Sequence, residues 1–551
     1  MSRIRTVVAS VLCVATTVAL SACSQSQSGE RSDTFVFAGA APPQSFDPIF
    51  TDNTDSFRVL TQMYDTLVTQ RPGTAQLAPG LAEDWELQSD GTTMVLNLRS
   101  DVTFHDGTPF NADAVCFNFD RWFTMDSAAA QNNMWYYTSV WGGFKTNLTE
   151  GAADPLYKSC EAINESKAAI HFNQYSGAFP AALTLQSFSI SSPAALRAYD
   201  ADTVKLGPDG ETFEFSDYAR NHPVGTGPYK FKSFDAETGT TQLERFDDYW
   251  GENARVKNLE FRTIPESDKR KKALIDGDID GYDLPKASDV EALEAEGHSV
   301  LARPSFNVMY MAINQGHVGK LGDIRVRRAL MYAINRDELV QKVFPDEGAT
   351  VANQLVPDLV TGYARDVTAY SYDPEQARAL LTQANATNLT LKFAYPANAE
   401  RLYLRNGKEV YESIASDLEN VGIRIEPVEI NDWGTYMENT RINGEPDLFL
   451  LGWQGDFNDP GNFLNSLLGL NPTIGVGDTG LPAAYASAAS ITDPVDYQAG
   501  FEQLSRDFMD DWLPVVPLAH LSSEVVVRSN VRGVYVSPFT TEKFASAYFS
   551  S

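Results

Sequence analysis

The alternation of apolar and polar positions predicts short strands and amphipathic helices that follow one another along the whole chain. Residues 34–38 (Thr-Phe-Val-Phe-Ala) are rich in β-forming side chains and predict a first strand. An Asp90-Gly91 pair divides residues 85–99 into two alternating runs, which predicts a hairpin with a tight turn. Because strands and helices intermix throughout, the predicted class is α/β or α+β.

Three helices are marked by residues that favour a helix start or by an apolar face. Asn111 and Asp373 can each accept hydrogen bonds from the first free amides of the helix that follows. Pro374 then stands at the first helical position, where its missing N–H is not needed. A third helix is predicted over residues 324–334, with apolar residues on one face. Its solvated or salt-bridged face is predicted to carry Arg325, Arg327 and Arg328.

The first 23 residues have the order basic, apolar, small, cysteine. The apolar run at residues 7–20 is long enough for the core of a signal peptide and short for a membrane span. It ends in Leu20-Ser21-Ala22-Cys23, which resembles the lipobox of bacterial lipoproteins. This resemblance implies a signal peptide over residues 1–22 and a diacylated Cys23 as the first mature residue. The alternative is an ordinary secretory signal in which Cys23 has no role. Both interpretations export the rest of the chain.

Length, composition and charge restrict the class of protein further. A chain of 551 residues exceeds one hydrophobic core and predicts two or three domains, and an apolar content of 43% is that of a globular protein. The net charge of −30 argues against nucleic-acid binding and against electrostatic adhesion to anionic lipid. Membrane attachment is therefore expected only through the lipid on Cys23. The polar residues 23–33 are predicted to be a flexible tether.

Four cysteines are present, and two of them fall in the exported body. Cys13 lies in the predicted signal and Cys23 carries the predicted lipid, which leaves Cys116 and Cys160. In an oxidising compartment two remaining cysteines are expected to form a disulfide. Two free thiols are the alternative. A zinc site is disfavoured because neither cysteine has a second Cys or a His at zinc-ligand spacing.

No catalytic pattern stands out in the sequence. The six histidines form no His-x-x-x-His or His-Glu-x-x-His pair. A Gly-x-Ser-x-Gly nucleophile turn and a phosphate-binding Gly-x-x-x-x-Gly-Lys-Ser/Thr loop are both missing. We therefore expect a binding protein rather than an enzyme, without cofactor or resident metal. An exported hydrolase that uses two of the many carboxylates is the alternative from another class.

Five sequence blocks, in order along the chain, resemble one family. They are Ser45-Phe46-Asp47-Pro48; residues 81–115 around His105-Asp106-Gly107; Pro223-Val224-Gly225-Thr226-Gly227-Pro228-Tyr229 with Asp248-Tyr249-Trp250-Gly251; residues 325–336; and Gly452-Trp453-Gln454-Gly455-Asp456 with Asp459-Pro460. Together they are similar to the extracytoplasmic solute-binding proteins of peptide-type ABC importers, which include dipeptide- and oligopeptide-binding proteins (family 5). The segment Gly225-Thr226-Gly227-Pro228 is interpreted as a turn of the backbone in which the glycines permit positive φ.

The resemblance implies a fold and a division into lobes. The expected fold is the α/β, periplasmic binding protein-like type II architecture in its large three-lobed (cluster C) variant, with a ligand cleft between the first and third lobes. The predicted first lobe comprises residues 34–62, 223–303 and 522–551. The predicted second lobe comprises residues 63–222, and the third comprises residues 304–521.

The fifth block carries the predicted ligand site. An apolar strand is expected to end near Leu451, where Gly452 and Gly455 break it. In peptide-binding relatives the acidic residue at the place of Asp456 pairs with the α-ammonium of the ligand. A buried cation requires such a counter-charge. The alternative is that Asp456 only bonds nearby amides. The backbone of Gly452 and Gln454 is predicted to bond an extended peptide as an added strand, and Trp453 to wall the pocket or join the core.

Further site residues follow from the same resemblance. Arg401 lies where dipeptide-binding relatives have an arginine that holds the ligand carboxylate, and Arg405 is the alternative partner. A surface role remains open for Arg401. Asn53 and Thr54 match a segment that lines the opposite lobe in relatives.

The implied function is capture of short peptides outside the membrane and delivery to an ABC permease with its ATPase subunits, by a monomeric, lipid-anchored protein. Relatives on the same fold bind haem, metal chelates, sugars or opines, and these solutes remain alternatives, as does a surface chaperone or adhesin.

Overall fold

Three sheets organise the chain, and each has its own layer of helices. The structure is a computed structural model, and it describes residues 33–148, 153–208, 212–345, 348–398, 401–470, 474–477 and 479–550. The predicted signal peptide, Cys23 and residues 23–32 of the tether lie outside the described residues. Strands and helices intermix along the chain, so the mixed α/β class is confirmed.

The first lobe is built on a seven-stranded sheet. Its first strand, Thr34–Gly39, runs parallel to both of its neighbours, and the rings of Phe35 and Phe37 pack against Phe544 near the C-terminus. All seven strands come from the residues predicted for this lobe. In sheet order they are Tyr229–Asp235, Thr240–Arg245, Asn258–Thr263, Thr34–Gly39, Gly281–Asp283, Ser523–Val527 and Ser299–Arg303.

The second lobe contains a four-stranded antiparallel sheet. The predicted hairpin is confirmed, with Gly91 at positive φ in its turn. A disulfide joins Cys116 to Cys160 with Cα atoms 5.1 Å apart, as the sequence predicts. In sheet order the strands are Ala82–Leu87, Thr93–Leu98, Lys167–Phe172 and Tyr157–Asn164, and two small hairpins pair Val68–Gln70 with Leu77–Pro79 and Lys205–Leu206 with Phe213–Glu214.

The third lobe is built on a six-stranded sheet. Its central strand Asn307–Ile313 is buried along its whole length because helices cover both of its faces. In sheet order the strands are Thr350–Val351, Val515–His520, Asn307–Ile313, Leu448–Gln454, Thr390–Pro396 and Arg424–Ile430. We use the names first, second and third lobe for the parts built on these three sheets. The exact lobe boundaries stay a prediction.

The helices pack around these sheets, and the remaining short strands pair Val531–Arg532 with Tyr548–Phe549. Within the part of the chain that the structure describes, no helix is both long and apolar enough to cross a membrane. The α-helices are Thr54–Met63, Ala112–Phe123, Ala128–Asn132, Trp135–Trp141, Phe179–Ala182, Pro193–Ala198, Asp217–Asn221, Ser267–Asp276, Ala287–Ala295, Ile324–Ala333, Arg336–Val343, Pro374–Gln383, Gly407–Asn420, Trp433–Met437, Pro460–Leu470, Leu481–Ala489 and Pro494–Asp507. Short 3₁₀ turns are Pro48–Phe50, Gln186–Phe188 and Gly319–Gly322, and π-helical turns are Glu438–Ile442 and Phe508–Trp512.

The predicted helix starts are confirmed, but one predicted surface is wrong. The side chains of Asn111 and Asp373 accept hydrogen bonds from the backbone amides of Ala114 and Gln376. Arg327, predicted on a solvated face, is 5% exposed and donates to the carbonyl oxygens of Trp512 and Leu321. The guanidinium thus donates hydrogen bonds to carbonyl oxygens inside the protein, where polar groups need partners.

Gly225 and Gly227 are needed for a reason that differs from the predicted one. Neither is among the described glycines with positive φ. A Cβ on Gly225 would lie 2.3 Å from the carbonyl oxygen of Met63, and one on Gly227 would lie 2.5 Å from its carbonyl carbon. The two crossings between the first and second lobes therefore pack backbone against backbone, and only glycine permits this approach.

Two neighbouring segments connect the first lobe to the third. One follows the strand that ends at Arg303, and the other precedes the strand that begins at Ser523. The side-chain amide of Asn307 donates to the carbonyl oxygen of Leu521 at 2.8 Å and accepts from its backbone N–H at 2.9 Å. This side chain therefore ties the two connections together.

Candidate ligand-binding site

A cavity of about 60 Å³ lies where the three lobes meet. Its lining comes from all three lobes, so its volume depends on how far the lobes are separated. The lining residues that the structure describes include two carboxylates and no lysine or arginine. They are Asp52, Thr54, Phe57, Gln70, Tyr136, Thr184, Leu185, Gln186, Gln454, Gly455, Asp456, Phe539, Thr540 and Thr541.

Asp456 lies at this cavity, in the loop after the strand Leu448–Gln454. The Tyr136 hydroxyl of the second lobe donates to its Oδ1 at 2.7 Å, and the Asn462 side-chain amide donates to its Oδ2 at 3.2 Å. The Asn462 side chain also accepts from the backbone N–H of Asp456 at 3.0 Å. The carboxylate is thus fixed by two neutral donors from two different lobes.

Burial raises the pKa of Asp456 to about 6, against the lowering effect of the hydrogen bonds from Tyr136 and Asn462. Neutral hydrogen-bond donors compensate only part of the cost of burying a carboxylate. A cationic group placed in the cavity would supply the missing charge. The second carboxylate of the lining, Asp52, adds to the negative potential, and burial raises its pKa too.

The strand before Asp456 does not break at Gly452, contrary to the prediction. It continues to Gln454 and pairs antiparallel with Asn307–Ile313 over its full length. A Cβ on Gly452 would lie 2.3 Å from the carbonyl oxygen of Val308 and 2.4 Å from the ring of Tyr403. Glycine therefore lets an aromatic ring cover the strand, and the chain turns only beyond Gln454.

One edge of this strand has no strand partner at its end near Gln454, within the described residues. Within the described residues, its parallel pairing with Thr390–Pro396 ends at Phe449. The hydroxyl of Tyr436 donates to the carbonyl oxygen of Leu450, so the backbone of Leu450 faces away from the antiparallel partner strand. Because backbone direction alternates along a strand, Gly452 and Gln454 face the same edge. Their amide and carbonyl groups could bond an extended chain.

The side chains of Trp453 and Gln454 lie at contacts between lobes. The Trp453 ring is partly buried, lies 6.4 Å from the Trp135 ring of the second lobe, and donates its N–H to the Asn462 side chain at 3.0 Å. Gln454 lines the cavity and donates to the carbonyl oxygen of Pro538 in the first lobe at 3.2 Å.

Of the two residues predicted on the opposite lobe, the structure places only Thr54 at the cavity. Asn53 caps the helix Thr54–Met63, because its side chain accepts from the backbone N–H of Ser56. Its amide nitrogen donates to the side chain of Gln44. Both ends of the Asn53 amide are thus occupied by the protein itself.

The structure does not bring Arg401 or Arg405 into the cavity lining. Arg401 is exposed, and its guanidinium carbon lies 4.3 Å from the centre of the Trp433 ring. Arg405 donates to the carbonyl oxygen of Ser522, in the connection between the first and third lobes. Arg401 remains on the face of the third lobe that carries Tyr403, whose pKa it lowers against the larger raising effect of burial.

Sequence reasoning missed three groups that shape the site. Tyr136 lies 320 positions before Asp456, so no local pattern connects them. Asn462 lies six residues after Asp456 in the first turns of the helix Pro460–Leu470, a signal that local analysis could have used. Asp52 directly precedes the predicted pair Asn53 and Thr54.

A sequence model of the bacterial extracellular solute-binding proteins, family 5, middle region, matches residues 76–473. The chain belongs to this family. The family prediction, solute-binding proteins of peptide-type ABC transporters, is thereby confirmed, and at family level the role is binding rather than catalysis.

Two curated relatives of this family 5 protein are named for different ligands. A dipeptide-binding protein of Escherichia coli (strain K12) is 29% identical over 529 residues, which cover 93% of this chain and 94% of the relative. Heme-binding protein A of Haemophilus influenzae is 27% identical over 561 residues, which cover 97% and 98%.

Solved structures agree on the fold. HbpA2 from Haemophilus parasuis superimposes with a TM-score of 0.77 at 25% identity, covering 94% of this chain and 100% of that structure. The periplasmic binding protein DppA from Helicobacter pylori, in complex with the peptide STSA, has a TM-score of 0.69 at 25% identity, covering 95% and 99%. The predicted type II periplasmic binding protein-like fold is confirmed.

Proposed function

We propose that this family 5 protein captures short peptides outside the cytoplasmic membrane and delivers them to an ABC permease and its ATPase subunits. The observation that carries the proposal is Asp456, a partly buried carboxylate with neutral donors at the meeting point of three lobes. Every peptide with a free amino terminus has an ammonium group that fits this position. One carboxylate can therefore serve peptides with many different side chains.

Capture requires the lobes to move. The cavity of about 60 Å³ is far below the roughly 300–1,000 Å³ of typical ligand pockets. Separation of the third lobe about the connections near Asn307 and Leu521 would admit a peptide, and closure would bury it. We propose that the permease recognises the closed form, which ligand contacts favour.

The edge without a strand partner at Gly452 and Gln454 supports a second set of ligand contacts. An extended peptide whose ammonium meets Asp456 would pass along this edge and form backbone hydrogen bonds that do not depend on its sequence. Arg401 is proposed to meet the peptide carboxylate after a rotation away from Trp433. An exposed arginine stacked on an aromatic ring loses little when it changes partner.

The test compares alanyl-leucine with N-acetyl-alanyl-leucine by isothermal titration calorimetry. We expect Asp456→Ala to weaken binding of the free-amine peptide at least about tenfold, because a charge-assisted bond to the ammonium is lost. The acetylated peptide should bind the unaltered protein weakly. Asp511→Ala removes an exposed carboxylate of the same lobe and serves as the control. Equal affinities for the two peptides would remove Asp456 from the ammonium role.

Attachment to the cell membrane through a lipid on Cys23 is part of the proposal. The order basic, apolar, small, cysteine supports it, together with a net charge that disfavours adsorption to anionic lipid. Cys23→Ser should release the protein from the membrane fraction of its host, and mass spectrometry should find the mature amino terminus diacylated only in the unaltered protein. Retention of the variant on membranes would contradict the lipid anchor.

Haem is the second candidate ligand, because one relative aligned over nearly the whole chain is named a heme-binding protein. Native mass spectrometry of the protein as purified separates the candidates by mass. A retained peptide supports the first proposal, and a retained haem with its visible absorption supports the second. Recovery of intact peptides after incubation with the protein would support a binding protein rather than a hydrolase. The mass of the native protein in the same spectra would test the proposed monomeric state.

A further inference from the structure

A hairpin of the second lobe inserts one residue of its turn, Ala75, into the third lobe. Its strands are Val68–Gln70 and Leu77–Pro79, and Gln70, the last paired residue before the turn, lines the ligand cavity. Ala75 near the tip is 2% exposed and packs within the hydrophobic core of the third lobe. A residue that belongs to one lobe by sequence therefore completes the core of another.

Asn458 holds this tip in place. It follows the predicted ammonium-binding residue by two positions, and it is 9% exposed. Its side-chain nitrogen donates to the carbonyl oxygen of Ala75 at 2.9 Å. Its side-chain oxygen accepts from the backbone N–H of Thr361, within the third lobe, at 2.9 Å. One amide thus makes one bond inside its own lobe and one bond to the second lobe.

Neither Asn458 nor Ala75 lines the ligand cavity. Opening of the cleft would withdraw Ala75 from an apolar environment and break its bond to Asn458. Closure would restore both. The contact therefore distinguishes the two conformations without touching a ligand, and this is the requirement for shifting an equilibrium between them.

We propose that Asn458 and the tip of this hairpin form a closure latch, which raises the closed population of the protein and slows release of its ligand. Asn458 is a positioning residue, since it acts through the lobes and not on the ligand. A hydrogen bond of ordinary net strength favours the closed form by roughly 3- to 10-fold. Ligand release should accelerate by the same factor when that bond is removed.

Two substitutions at Asn458 separate the latch from a role inside the third lobe. Asn458→Asp keeps the acceptor for Thr361 and loses the donor to Ala75, where it places a carboxylate against a carbonyl oxygen. Asn458→Ala loses both bonds. Ala75→Leu enlarges the inserted side chain and leaves the Thr361 bond unchanged. Asn398→Asp alters an exposed asparagine of the third lobe and is the matched control.

Small-angle X-ray scattering of the protein without ligand tests the latch directly. We expect Asn458→Asp and Ala75→Leu to increase the radius of gyration, while Asn398→Asp leaves it unchanged. Scattering of Asn458→Asp identical to that of the unaltered protein would overturn the latch, because a role confined to the third lobe survives that substitution. This measurement uses no ligand, so it stands even where peptide binding fails.

A second measurement rests on the proposed function. Stopped-flow displacement of alanyl-leucine should give a dissociation rate 3- to 10-fold higher for Asn458→Asp, with the association rate unchanged or increased. The preference for the free amine over the acetylated peptide should stay the same, because Asp456 is untouched. An unchanged dissociation rate would contradict the latch. Failure of alanyl-leucine to bind the unaltered protein would count against the peptide proposal instead, and scattering alone would then decide the latch.

Discussion

At the scale of single residues, the chemistry of the site comes from how Asp456 is enclosed. Its position in a short Gly-rich segment is visible in the sequence, but its burial depends on Tyr136 from another lobe. A solvated loop carboxylate would have an ordinary pKa and little preference for an ammonium. Enclosure turns a common residue into a strong acceptor for a cation.

Peptide binding should weaken in acid because of Asp456. Burial holds the pKa of its carboxyl at about 6, so below pH 6 a proton must leave before an ammonium can pair with the carboxylate. We expect the affinity for alanyl-leucine to fall about tenfold between pH 7 and pH 5, because the ionised fraction of the carboxyl falls by about that factor. Calorimetry across this range measures the change, and its heat should depend on buffer ionisation below pH 6.

The control for this dependence is Asp456→Asn, which has no carboxyl to titrate at that position. We expect this variant to bind alanyl-leucine more weakly than the unaltered protein, with an affinity that does not change between pH 7 and pH 5. Asp52 lines the same cavity and also has a raised pKa. A slope that persists in Asp456→Asn would assign the acid dependence to Asp52 and contradict the role given to Asp456.

At the scale of elements, the strand Leu448–Gln454 positions the loop that carries Asp456. Two of its neighbours lie unusually close because position 452 has no side chain: the Val308 carbonyl and the Tyr403 ring. The strand is therefore covered closely on one face at this position. The loop direction follows from this packing and not from a break in the strand.

Gly452→Ala should disturb both stability and binding. Its Cβ would lie 2.3 Å from the Val308 carbonyl oxygen, so the strand or Tyr403 must shift. Overpacking of this kind costs about 1–3 kcal/mol of unfolding free energy. Gly319→Ala is the matched control, because a Cβ there meets nothing within 4 Å. Denaturant unfolding and peptide calorimetry measure the two effects. An unaltered midpoint and affinity in Gly452→Ala would refute the packing argument.

Both cysteines of the disulfide lie in the second lobe. Cys116 lies in the helix Ala112–Phe123 and Cys160 in the strand Tyr157–Asn164, and the bond closes a loop with a sequence separation of 44. Replacing both cysteines by serine should lower the unfolding free energy by about 2–4 kcal/mol, because the unfolded chain gains freedom.

Peptide affinity should be unaffected by the loss of this disulfide, since neither cysteine lines the cavity. Calorimetry of binding and thermal unfolding of the same double variant test the separation of the two properties. A large loss of affinity in a folded variant would show that the disulfide also positions the second lobe across the cleft.

At the scale of the whole molecule, a buried ionic cluster joins distant parts of the first lobe. Arg58 and Arg303 both bond Glu542, at 3.2 Å and 2.6 Å, and both pair with Asp283. Arg58 lies in the helix next to the cavity, Arg303 at the connection to the third lobe, and Glu542 near the C-terminus. The cluster therefore fixes the part of the first lobe that carries the connection to the third lobe.

Glu542→Gln should destabilise the whole protein. The glutamate is fully buried, and its neutralisation leaves two arginines with one fewer counter-charge. Removing one member of a buried ionic network costs roughly 3–5 kcal/mol. Glu291→Gln changes an exposed glutamate of the same lobe and serves as the control in denaturant unfolding. Equal free energies of unfolding for the two variants would contradict the stabilising role of the cluster.

Much of the fold was predictable because it is encoded locally or by family pattern. The first strand, the hairpin at Gly91 and the caps at Asn111 and Asp373 all depend on residues a few positions apart. Arg327 was predicted wrongly for the opposite reason: its carbonyl partner at Trp512 is 185 positions away. A helix pattern does not show which charged residue finds buried acceptors.

The candidate site was predictable only in part. The resemblance at Gly452 to Asp456 indicated a ligand-facing loop, and the structure places Asp456 at the cavity. Asn53 instead caps a helix, and Arg401 lies on Trp433 outside the lining. A sequence position does not fix which neighbours its side chain contacts. Tyr136 reaches the site through tertiary packing alone.

The sequence by itself determined the family, the α/β class, the pairing of Cys116 with Cys160 and the position of an acidic residue after a buried strand. Those features rest on composition, short spacings and blocks of similar residues. Tertiary structure alone decided how Asp456 is enclosed, which edge of its strand is open and how Asn458 reaches Ala75. The physical reason is that enclosure and contacts between lobes join residues far apart in the chain, and only the packed lobes bring those residues within bonding distance.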